Sequence, residues 1–434
     1  IRVMRVAIRG ASGFIGTHLM EYLTEHHHQV IPIGRGFLQE DAFQQLVESL
    51  EGCDALVNLA GASINRRWTP KYKCELRHSR IGVTSRLVKA MKAAQKRPEV
   101  MLSVSAVGYY PSRGYYSEQD DMIAEGFLAS LCCEWEAEAQ KCPSDVRMVI
   151  TRLGVVLAPD GGAMQQMVLP LIHTKFSAVI GSGKQTFPWV SIQDVCRAVT
   201  FLIEHKDTQG VYNVVAPQFI SQKHLAHALA IAYHAWATVP VPGWVFHSLL
   251  GEMSSVLLNR QTVSPSRLLE AGFTFSVPTI ESLLKLPDTR TVPSLDVARY
   301  MGLWYEIARY DNSFEQGMTD VTATYSLSSD GKIRVENAGL KNGVKKRAVG
   351  HAYRPDEKQP GKLKVSFFLW FYFDYYVLEL DKENYSYALV GSSSDKYLWI
   401  LSRNPHLAED IKGKLIASAQ RRGYNIRKLH FLHD

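Results

Sequence analysis

An α/β doubly wound domain with a small helical extension, fused to an all-β eight-stranded up-and-down barrel with one flanking helix, is the architecture predicted for this 434-residue chain. Three observations predict it. Residues 4–157 alternate short apolar runs with stretches of helical apolar spacing, and residues beyond 299 run strand after strand. Between them, Leu286-Pro-Asp-Thr-Arg-Thr-Val-Pro293 carries two prolines and no periodicity. Strands separated by helices pair in parallel through right-handed crossovers. Consecutive antiparallel strands leave exposed edges unless the sheet closes on itself.

In the first part the expected strands are Val6–Arg9, Val30–Ile33, Ala55–Leu59, Val100–Ser105 and Arg147–Leu157. Helices are expected over Phe14–Glu25, Lys71–Gln95 and Phe127–Gln140, then Val195–His205, with a further strand at Gly210–Val215. Val239–Leu286 is punctuated by proline and reads as helical, best over Leu249–Leu258 and Ser266–Ala271. The α/β domain is therefore placed at 1–237, its extension at 238–287, a linker at 288–294 and the barrel at 295–434. Barrel strands are expected at Gly302–Tyr310, Val321–Leu327, Ile333–Gly339, Arg347–Tyr353, Lys364–Phe371, Tyr375–Leu380, Tyr385–Gly391 and Leu398–Arg403. Turn residues separate them, among them Ser329-Asp-Gly331 and Lys341-Asn-Gly343. Asn404-Pro405 opens a helix reaching about Arg422, followed by a last strand at Ile426–Phe431.

Composition narrows the function classes. Hydrophobic residues at 46% and charged residues at 21% are those of a folded chain. The net charge of +7 is spread along the sequence. The densest basic cluster, Lys345-Lys346-Arg347, reads as a solvated hairpin, so no nucleic-acid partner is expected. No run of 18 apolar residues is present to span a membrane. The six cysteines (Cys53, Cys74, Cys132, Cys133, Cys142, Cys196) lie in the first part without a Cys-x-x-Cys pair. They read as thiols of a reducing compartment, and with no basic-then-apolar leader after Ile1 the expected location is cytoplasmic. His26-His27-His28 has no acid or thiol at ligand spacing, so a solvated loop is expected there and no metal site.

Gly10-Ala-Ser12-Gly13-Phe14-Ile15-Gly16 joins the first strand to the first helix. A glycine-rich turn in that place lets backbone N–H groups and a helix N-terminus meet a pyrophosphate. The second strand selects the dinucleotide: an acid at its end would bind a ribose 2′-hydroxyl, an arginine a 2′-phosphate. Gly34-Arg35 follows Ile33, and the first acid is Glu40, so NADP(H) is the expected cofactor.

These residues resemble the short-chain dehydrogenase/reductase superfamily in its extended, epimerase-like form, which implies a Rossmann-type fold. Asn58-Leu59-Ala60-Gly61 is similar to the family's turn under the adenosine, which adds Leu59, Ala60 and Gly61 to the expected cofactor site. Ser103-Val-Ser105-Ala-Val-Gly-Tyr109-Tyr110 is similar to its serine-bearing strand end. Arg67-Trp68-Thr69, Ser79-Arg80-Ile81, Cys132-Cys-Glu134-Trp135-Glu136, Arg152-Leu-Gly154, Gly161-Gly162 and Trp189-Val-Ser-Ile-Gln-Asp194 point to an atypical branch of unknown substrate. Ser264-Pro265-Ser-Arg-Leu268 belongs to the same pattern. The family's proton relay needs a tyrosine and a lysine four residues later on one helix. Phe127–Gln140 has neither: Phe127 and Leu128 stand near the tyrosine's place, Leu131 and Cys132 near the lysine's. Ser105 keeps the position of the catalytic serine, and Tyr109 is the candidate substitute acid.

In the second part, Gly302-Leu-Trp304 opens the first strand and Tyr397-Leu-Trp399-Ile-Leu-Ser402-Arg403 closes the eighth. With Trp304-Tyr-Glu-Ile-Ala-Arg309 and Phe314-Glu-Gln-Gly317, this text resembles the lipocalins, in their bacterial and apolipoprotein-D-like subgroup. The resemblance implies Arg403 lying across Trp304 and a cup for a fatty acid or other apolar ligand. Phe367–Tyr376 is so dense in aromatic residues that one face is expected to line the cavity, the other to be covered by the helix, the first domain or a second subunit of a homodimer. Two functions follow as expectations. One is redox or epimerase-like chemistry on a small, unidentified substrate; the other is a non-catalytic NADP(H) sensor or scaffold beside a lipid carrier.

Overall fold

The computed structural model describes residues 2–158, 161, 164, 175–312, 315–328, 332–368 and 371–432. Gly162, Phe314, Trp370 and the turn Ser329-Asp-Gly331 lie outside the described residues. The chain divides into two compact units, Ile1–Leu284 and Lys285–Asp434. Among the described residues no helix is long and apolar enough to cross a membrane.

In the first unit, β1 (Arg5–Arg9), β2 (Gln29–Ile33), β3 (Ala55–Asn58), β4 (Val100–Ala106), β6 (Arg147–Leu153) and β10 (Gly210–Val214) form one parallel sheet, ordered β10-β6-β4-β3-β1-β2. A parallel sheet covered on both faces needs apolar residues on both. Val6, Ile8 and Val57 accordingly enter one core with helices α1 (Phe14–Glu25) and α6 (Ile192–Glu204). Ala7 and Leu56 enter the other, with α2 (Phe43–Leu50) and α4 (Val83–Ala93). From β1 the chain goes one way to β2 and the other way to β3. The crevice at the carboxyl ends of β1 and β3 is therefore the switch point, where such folds take ligands.

Several elements differ from expectation. The strand expected over Arg147–Leu157 breaks at Gly154, where a Cβ would stand 2.9 Å from the Pro188 carbonyl oxygen. Past that close approach β7 (Val155–Ala158) leaves the sheet and pairs with β9 (Trp189–Ser191). The single helix expected over Lys71–Gln95 is α3 (Pro70–Arg77) and α4 joined by a π-turn, His78–Gly82. Leu249–Leu258 is α8 (Gly243–Leu250), a 3₁₀ turn beginning at Gly251 with φ 61, and a short helix at Ser255–Leu258. The extension also contributes strands. β11 (Ala237–Val241) pairs with β8 (Phe176–Ile180), whose Ser177 Oγ–H donates at 2.8 Å to Ala226 O of α7 (Gln222–Ala232). β12 (Arg260–Val263) pairs with β5 (Arg113–Tyr116). The histidine run is not wholly solvated: His26 and His27 are exposed, but His28 is buried. Its Nδ1 accepts from the Met4 N–H and its Nε2 lies 3.3 Å from Glu204.

The extension is stitched to the sheet by one carboxylate. Asp194, in the first turn of α6 and fully buried, accepts from the Ser276 N–H and Oγ–H at 2.8 and 2.7 Å and from the Val277 N–H at 2.9 Å. Leu268 and Phe273 of the same segment pack into the core beside Val195 and Val199.

The second unit is a closed antiparallel barrel of β13 (Gly302–Tyr310), β14 (Met318–Leu327), β15 (Ile333–Lys341), β16 (Val344–Tyr353), β17 (Lys362–Phe368), β18 (Phe371–Leu380), β19 (Tyr387–Gly391) and β20 (Leu398–Ser402). β13 pairs with both β14 and β20, which closes the ring, and β21 (Leu429–Phe431) adds to β13. Alternate residues divide between two cores: Val377, Val390 and Leu401 point inward, while Leu378, Leu389 and Ile400 pack under the flanking helix α9 (Glu409–Arg421). That helix starts at Glu409 rather than Asn404, with Glu409 and Asp410 in its first turn, where the helix dipole favours acids. The last strand is shortened by a 3₁₀ turn at Ile426–Lys428. Residues 288–294, expected as a linker, are built into this unit. Val292 is buried in the barrel core and donates to the Val377 carbonyl at 2.9 Å, and the Asp288 N–H donates to Arg422 O at 2.6 Å.

Trp304 is fully buried at the barrel floor, with the Arg403 guanidinium 4.0 Å from its ring centroid. Arg403 also donates to the carbonyls of Leu303, Arg299 and Met301 at 2.8–2.9 Å. Gly302 has φ 99, and a Cβ there would lie 3.1 Å from the arginine. Arg403→Leu is expected to destabilise this unit by about 1–3 kcal/mol, since hydrogen bonds from a charged donor contribute in that range. Urea unfolding measures it, and an unchanged midpoint would contradict the role.

Candidate functional site

The glycine turn after β1 is shaped by contacts that only glycine permits. Gly10 has φ +88 and would place a Cβ 2.9 Å from the Leu59 carbonyl oxygen. A Cβ on Gly16 would stand 2.1 Å from Gly10 O, so the turn and α1 pack backbone to backbone. The Gly13 N–H closes the turn on Gly10 O at 2.9 Å. No side chain caps α1 and no acid occupies its first turn, which leaves the Phe14, Ile15 and Gly16 amides available to an anion. Ser12 is exposed beside them, and the Phe14 ring lies against Gly161 and, edge-on at 5.0 Å, against His18.

Two guanidiniums stand at the strand ends nearby. Arg9, the last residue of β1, donates to Ile33 O at 3.1 Å and has a buried Nε without a partner. Burial and the charge of Arg35 both lower its pKa, and no described carboxylate pairs with either arginine. Like charges held together want an anion, and the 2′-phosphate of NADP(H) has the right chemistry. Sequence reasoning singled out Arg35 and passed over Arg9, whose signal was an arginine ending an otherwise apolar strand.

The turn after β3 abuts this one. Leu59 N–H donates to Arg9 O at 2.8 Å. Buried Asn58 accepts from Ala60 N–H at 3.2 Å and donates to Thr84 and Ser103 hydroxyls at 2.8 and 3.2 Å, which holds Leu59, Ala60 and Gly61 in place.

Ser105, at the end of β4, is buried and donates to Glu136 Oε1 at 2.6 Å. Glu136 comes from α5 (Phe127–Ala139) and is itself buried, held by Arg152 of β6 through two parallel bonds of 2.9 and 2.8 Å. Burial works against the Arg152 charge, but the hydrogen bonds and charge of Glu136 outweigh it and raise its pKa. The same guanidinium lies over Tyr109, 3.4 Å from the ring centroid, and over Tyr110 at 4.9 Å. Burial raises the Tyr109 pKa despite Arg152. Where a lysine was sought, Cys132 is buried, its thiol pushed up to about 12 by burial. Sequence reasoning quoted Glu136 and Arg152 only as family text; their pairing is not visible at a separation of 16 residues.

The barrel holds a cavity of about 460 Å³. Val335, Val365, Phe367, Phe373, Tyr375 and Leu401 give it an apolar wall, and Lys341, Lys346 and Arg347 line it as well. Of the aromatic hairpin, Phe367, Phe373 and Tyr375 line this cavity, with Phe373 as exposed as Tyr372, which meets Tyr353 edge-on at 5.2 Å. The interior is not wholly apolar. Arg309 donates to Glu306 Oε1 at 3.2 Å and to the main-chain carbonyl of Glu315 at 2.8 Å, while the Glu315 carboxylate accepts from Asn312 Nδ2 at 2.5 Å and Trp399 Nε1 at 3.2 Å. Burial, then the neighbouring Glu315, push the Glu306 carboxyl up to about 8. No group of three His, Cys, Asp or Glu among the described residues is placed to hold a metal.

A parallel sheet with a glycine turn at its switch point, and a closed barrel floored by tryptophan and arginine, define an epimerase-type nucleotide-binding domain joined to a lipocalin-like domain. Residues 6–215 match the NAD dependent epimerase/dehydratase family, 241–285 a domain of unknown function, and 295–434 the lipocalin-like domain. The chain is 35% identical over 292 residues to the human epimerase family protein SDR39U1, covering 65% of this chain and 99% of that protein. It is 33% identical over 302 residues to the chloroplastic SDR39U1 homolog of Arabidopsis thaliana, covering 65% and 86%. The chain thus belongs to the epimerase family that includes SDR39U1. Among solved structures, human SDR39U1 (isoform 2) with NADPH superposes with a TM-score of 0.60 at 35% identity, covering 65% of this chain and 98% of that one. The nucleoside-diphosphate sugar epimerase from Corynebacterium glutamicum superposes with a TM-score of 0.53 at 26% identity, covering 65% and 57%.

Proposed function

We propose that the first unit binds NADP(H) and works as an oxidoreductase in the reducing direction on a small carbonyl compound, and that the barrel carries an amphipathic apolar ligand such as a fatty acid. The observation that carries the cofactor reading is the open, uncapped N-terminus of α1 beside two arginines that lack acids. The human relative solved with NADPH supports it. The glycine turn would receive the diphosphate, Arg9 and Arg35 the 2′-phosphate, and the Leu59–Gly61 turn the adenosine. When bound, the cofactor supplies a hydride.

The direction follows from the protons this chain holds. Ser105 already gives its proton to Glu136 and so has only lone pairs to offer. Tyr109, its pKa raised by burial, keeps its phenolic proton at neutral pH. A protonated phenol suits delivery of a proton to a carbonyl oxygen as that oxygen becomes a hydroxyl, and is a poor base for stripping an alcohol. Arg152 against the Tyr109 ring face holds the phenol in one orientation. The committed proton of Ser105 and the missing Tyr/Lys pair also favour a second reading, in which NADP(H) is a sensed or structural ligand.

One titration separates the two. NADPH fluorescence is followed on mixing, then nicotinamide absorbance with a panel of aldehydes, ketones and quinones. Turnover that disappears in Tyr109→Phe supports the reductase; tight binding with no turnover of any compound supports the sensor. Arg35→Ala is expected to weaken NADPH binding about 10- to 100-fold and leave NADH unchanged. Equal loss for both dinucleotides would remove the 2′-phosphate assignment. Displacement of a fluorescent fatty-acid probe tests the barrel, and a probe that never binds would overturn the carrier. The unpaired thiols support a reducing, cytoplasmic setting.

A further inference from the structure

We propose that Arg80 is a cofactor-binding residue, whose guanidinium supplies to the nicotinamide-side ribose and phosphate of NADP(H) the positive charge that α5 lacks. The inference rests on the NADP(H) reading above and adds to it a residue from a different helix.

Arg80 lies in the π-turn between α3 and α4. Such a turn inserts a residue and re-aims the side chains around it, and single π-turns recur at functional sites. Here the guanidinium is aimed at the turn after β3. A Cβ on Gly61 would lie 2.8 Å from its Cζ, Nη2 donates to Ala62 O at 3.0 Å, and the Trp135 ring lies 5.2 Å away. No described carboxylate pairs with it, and burial lowers its pKa. Among the described residues, the titratable groups felt by this charge are the Cys132 thiol, which burial keeps protonated, and the Tyr72 hydroxyl; neither is a carboxylate. A cation withdrawn from water without a counter-charge is unfavourable, and a guanidinium is suited to phosphate.

Its place picks out the half of the cofactor. Leu59 touches Gly10 of the diphosphate turn, and Gly61, two residues on, touches Arg80. On the other side Arg80 is close enough to Cys132 to perturb it, and Cys132 donates to Ala106 O, next to Ser105, at 3.8 Å. Arg80 therefore stands between the diphosphate turn and the Ser105–Glu136 cluster. That is the stretch a nicotinamide ribose must cross to bring its ring to the reacting end.

A purely structural role is the competing account. Ser79 Oγ accepts from Ala62 N–H at 3.0 Å, so the same π-turn also ties down this loop. The two accounts differ in which ligand notices the loss. NADPH (by fluorescence) and 2′,5′-ADP (by calorimetry) are titrated into the full chain, wild type, Arg80→Met and Gly61→Ala, with melting temperatures recorded. Arg80→Met keeps the stem over Trp135 and removes the charge. It is expected to weaken NADPH at least about 10-fold while leaving 2′,5′-ADP, which has no nicotinamide half, within about two-fold. Arg80→Lys should recover part of the loss. Gly61→Ala displaces the guanidinium without changing it; because Gly61 also lies in the adenosine turn both ligands weaken, but NADPH should lose more than 2′,5′-ADP, which keeps the proposal testable should Arg80→Met not fold. Equal weakening of both ligands, or none of either, overturns the proposal. A wild-type chain that binds neither ligand sinks the NADP(H) reading itself.

Discussion

Glu136→Ala is expected to destabilise the first unit by about 3–5 kcal/mol, because it leaves a buried guanidinium with no counter-charge. Arg152 is 5% exposed and Glu136 6%, so water cannot replace the lost partner. Ser105 loses its acceptor at the same time, and this residue is only 3% exposed. Glu136→Gln keeps the volume and one acceptor oxygen, and should lose less. The diagnostic comparison is the double replacement Glu136→Leu with Arg152→Met, which removes both charges. It should be milder than Glu136→Ala alone, since a missing ion pair is tolerated better than half of one. Urea unfolding of the three variants measures this. A double variant less stable than the single one would show that the pair is not acting as a buried ion pair.

In the barrel, Glu306→Gln is expected to be increasingly stabilising relative to wild type as the pH is raised. The Glu306 carboxyl is raised from its ordinary 4.5 to about 8, by burial first and Glu315 second, with Arg309 too weak an opponent. That weakness has a cause in the geometry. The guanidinium gives Glu306 a single bond of 3.2 Å and spends its Nη2 on the main-chain carbonyls of Glu315 and Met318. A raised folded-state pKa means that the folded chain holds this proton more tightly than the unfolded one. The associated stability is complete below pH 4.5 and is lost as the pH climbs through about 8. Each pH unit in that window changes the balance by roughly 1.4 kcal/mol. The replacement amide does not titrate, so the variant should match wild type near pH 4.5 and exceed it by a few kcal/mol near pH 8. Arg309→Met should shift the other way, removing the one cation that opposes the raised proton affinity of Glu306. Urea midpoints at three pH values across the window decide it, and a parallel pair of curves would refute the raised proton affinity.

What the sequence made legible was local. The glycine turn, its strand and its helix are contiguous, so steric demand and hydrogen-bond geometry are written in one stretch of letters. Arg35 could be singled out for the same reason, since it follows the second strand directly. Trp304 and Arg403 lie far apart in the chain, and only resemblance to a known family paired them. Nothing local marks Glu136 as the partner of Ser105, which is 31 residues away. The π-turn that re-aims Arg80 lies in an unbroken helical pattern, because inserting one residue barely disturbs apolar spacing over so long a stretch. Residues 288–294 read as a linker since proline forbids regular structure, but proline says nothing of burial, and Val292 is in the core. His28 misleads similarly: a run of three imidazoles reads as polar, yet one of them fills a slot between Met4 and Glu204.

Asp194 has an implication for where this molecule can be cut. Family matching splits the first unit into two pieces, 6–215 and 241–285, as though the second were an appendix. Trimming the chain near residue 240 would strip a sealed anion of its Ser276 and Val277 donors and unplug Leu268 and Phe273 from the interior. The amputated remnant would not be a smaller version of the same domain. The appendix is a keystone, and the two sequence families describe halves of a single arch.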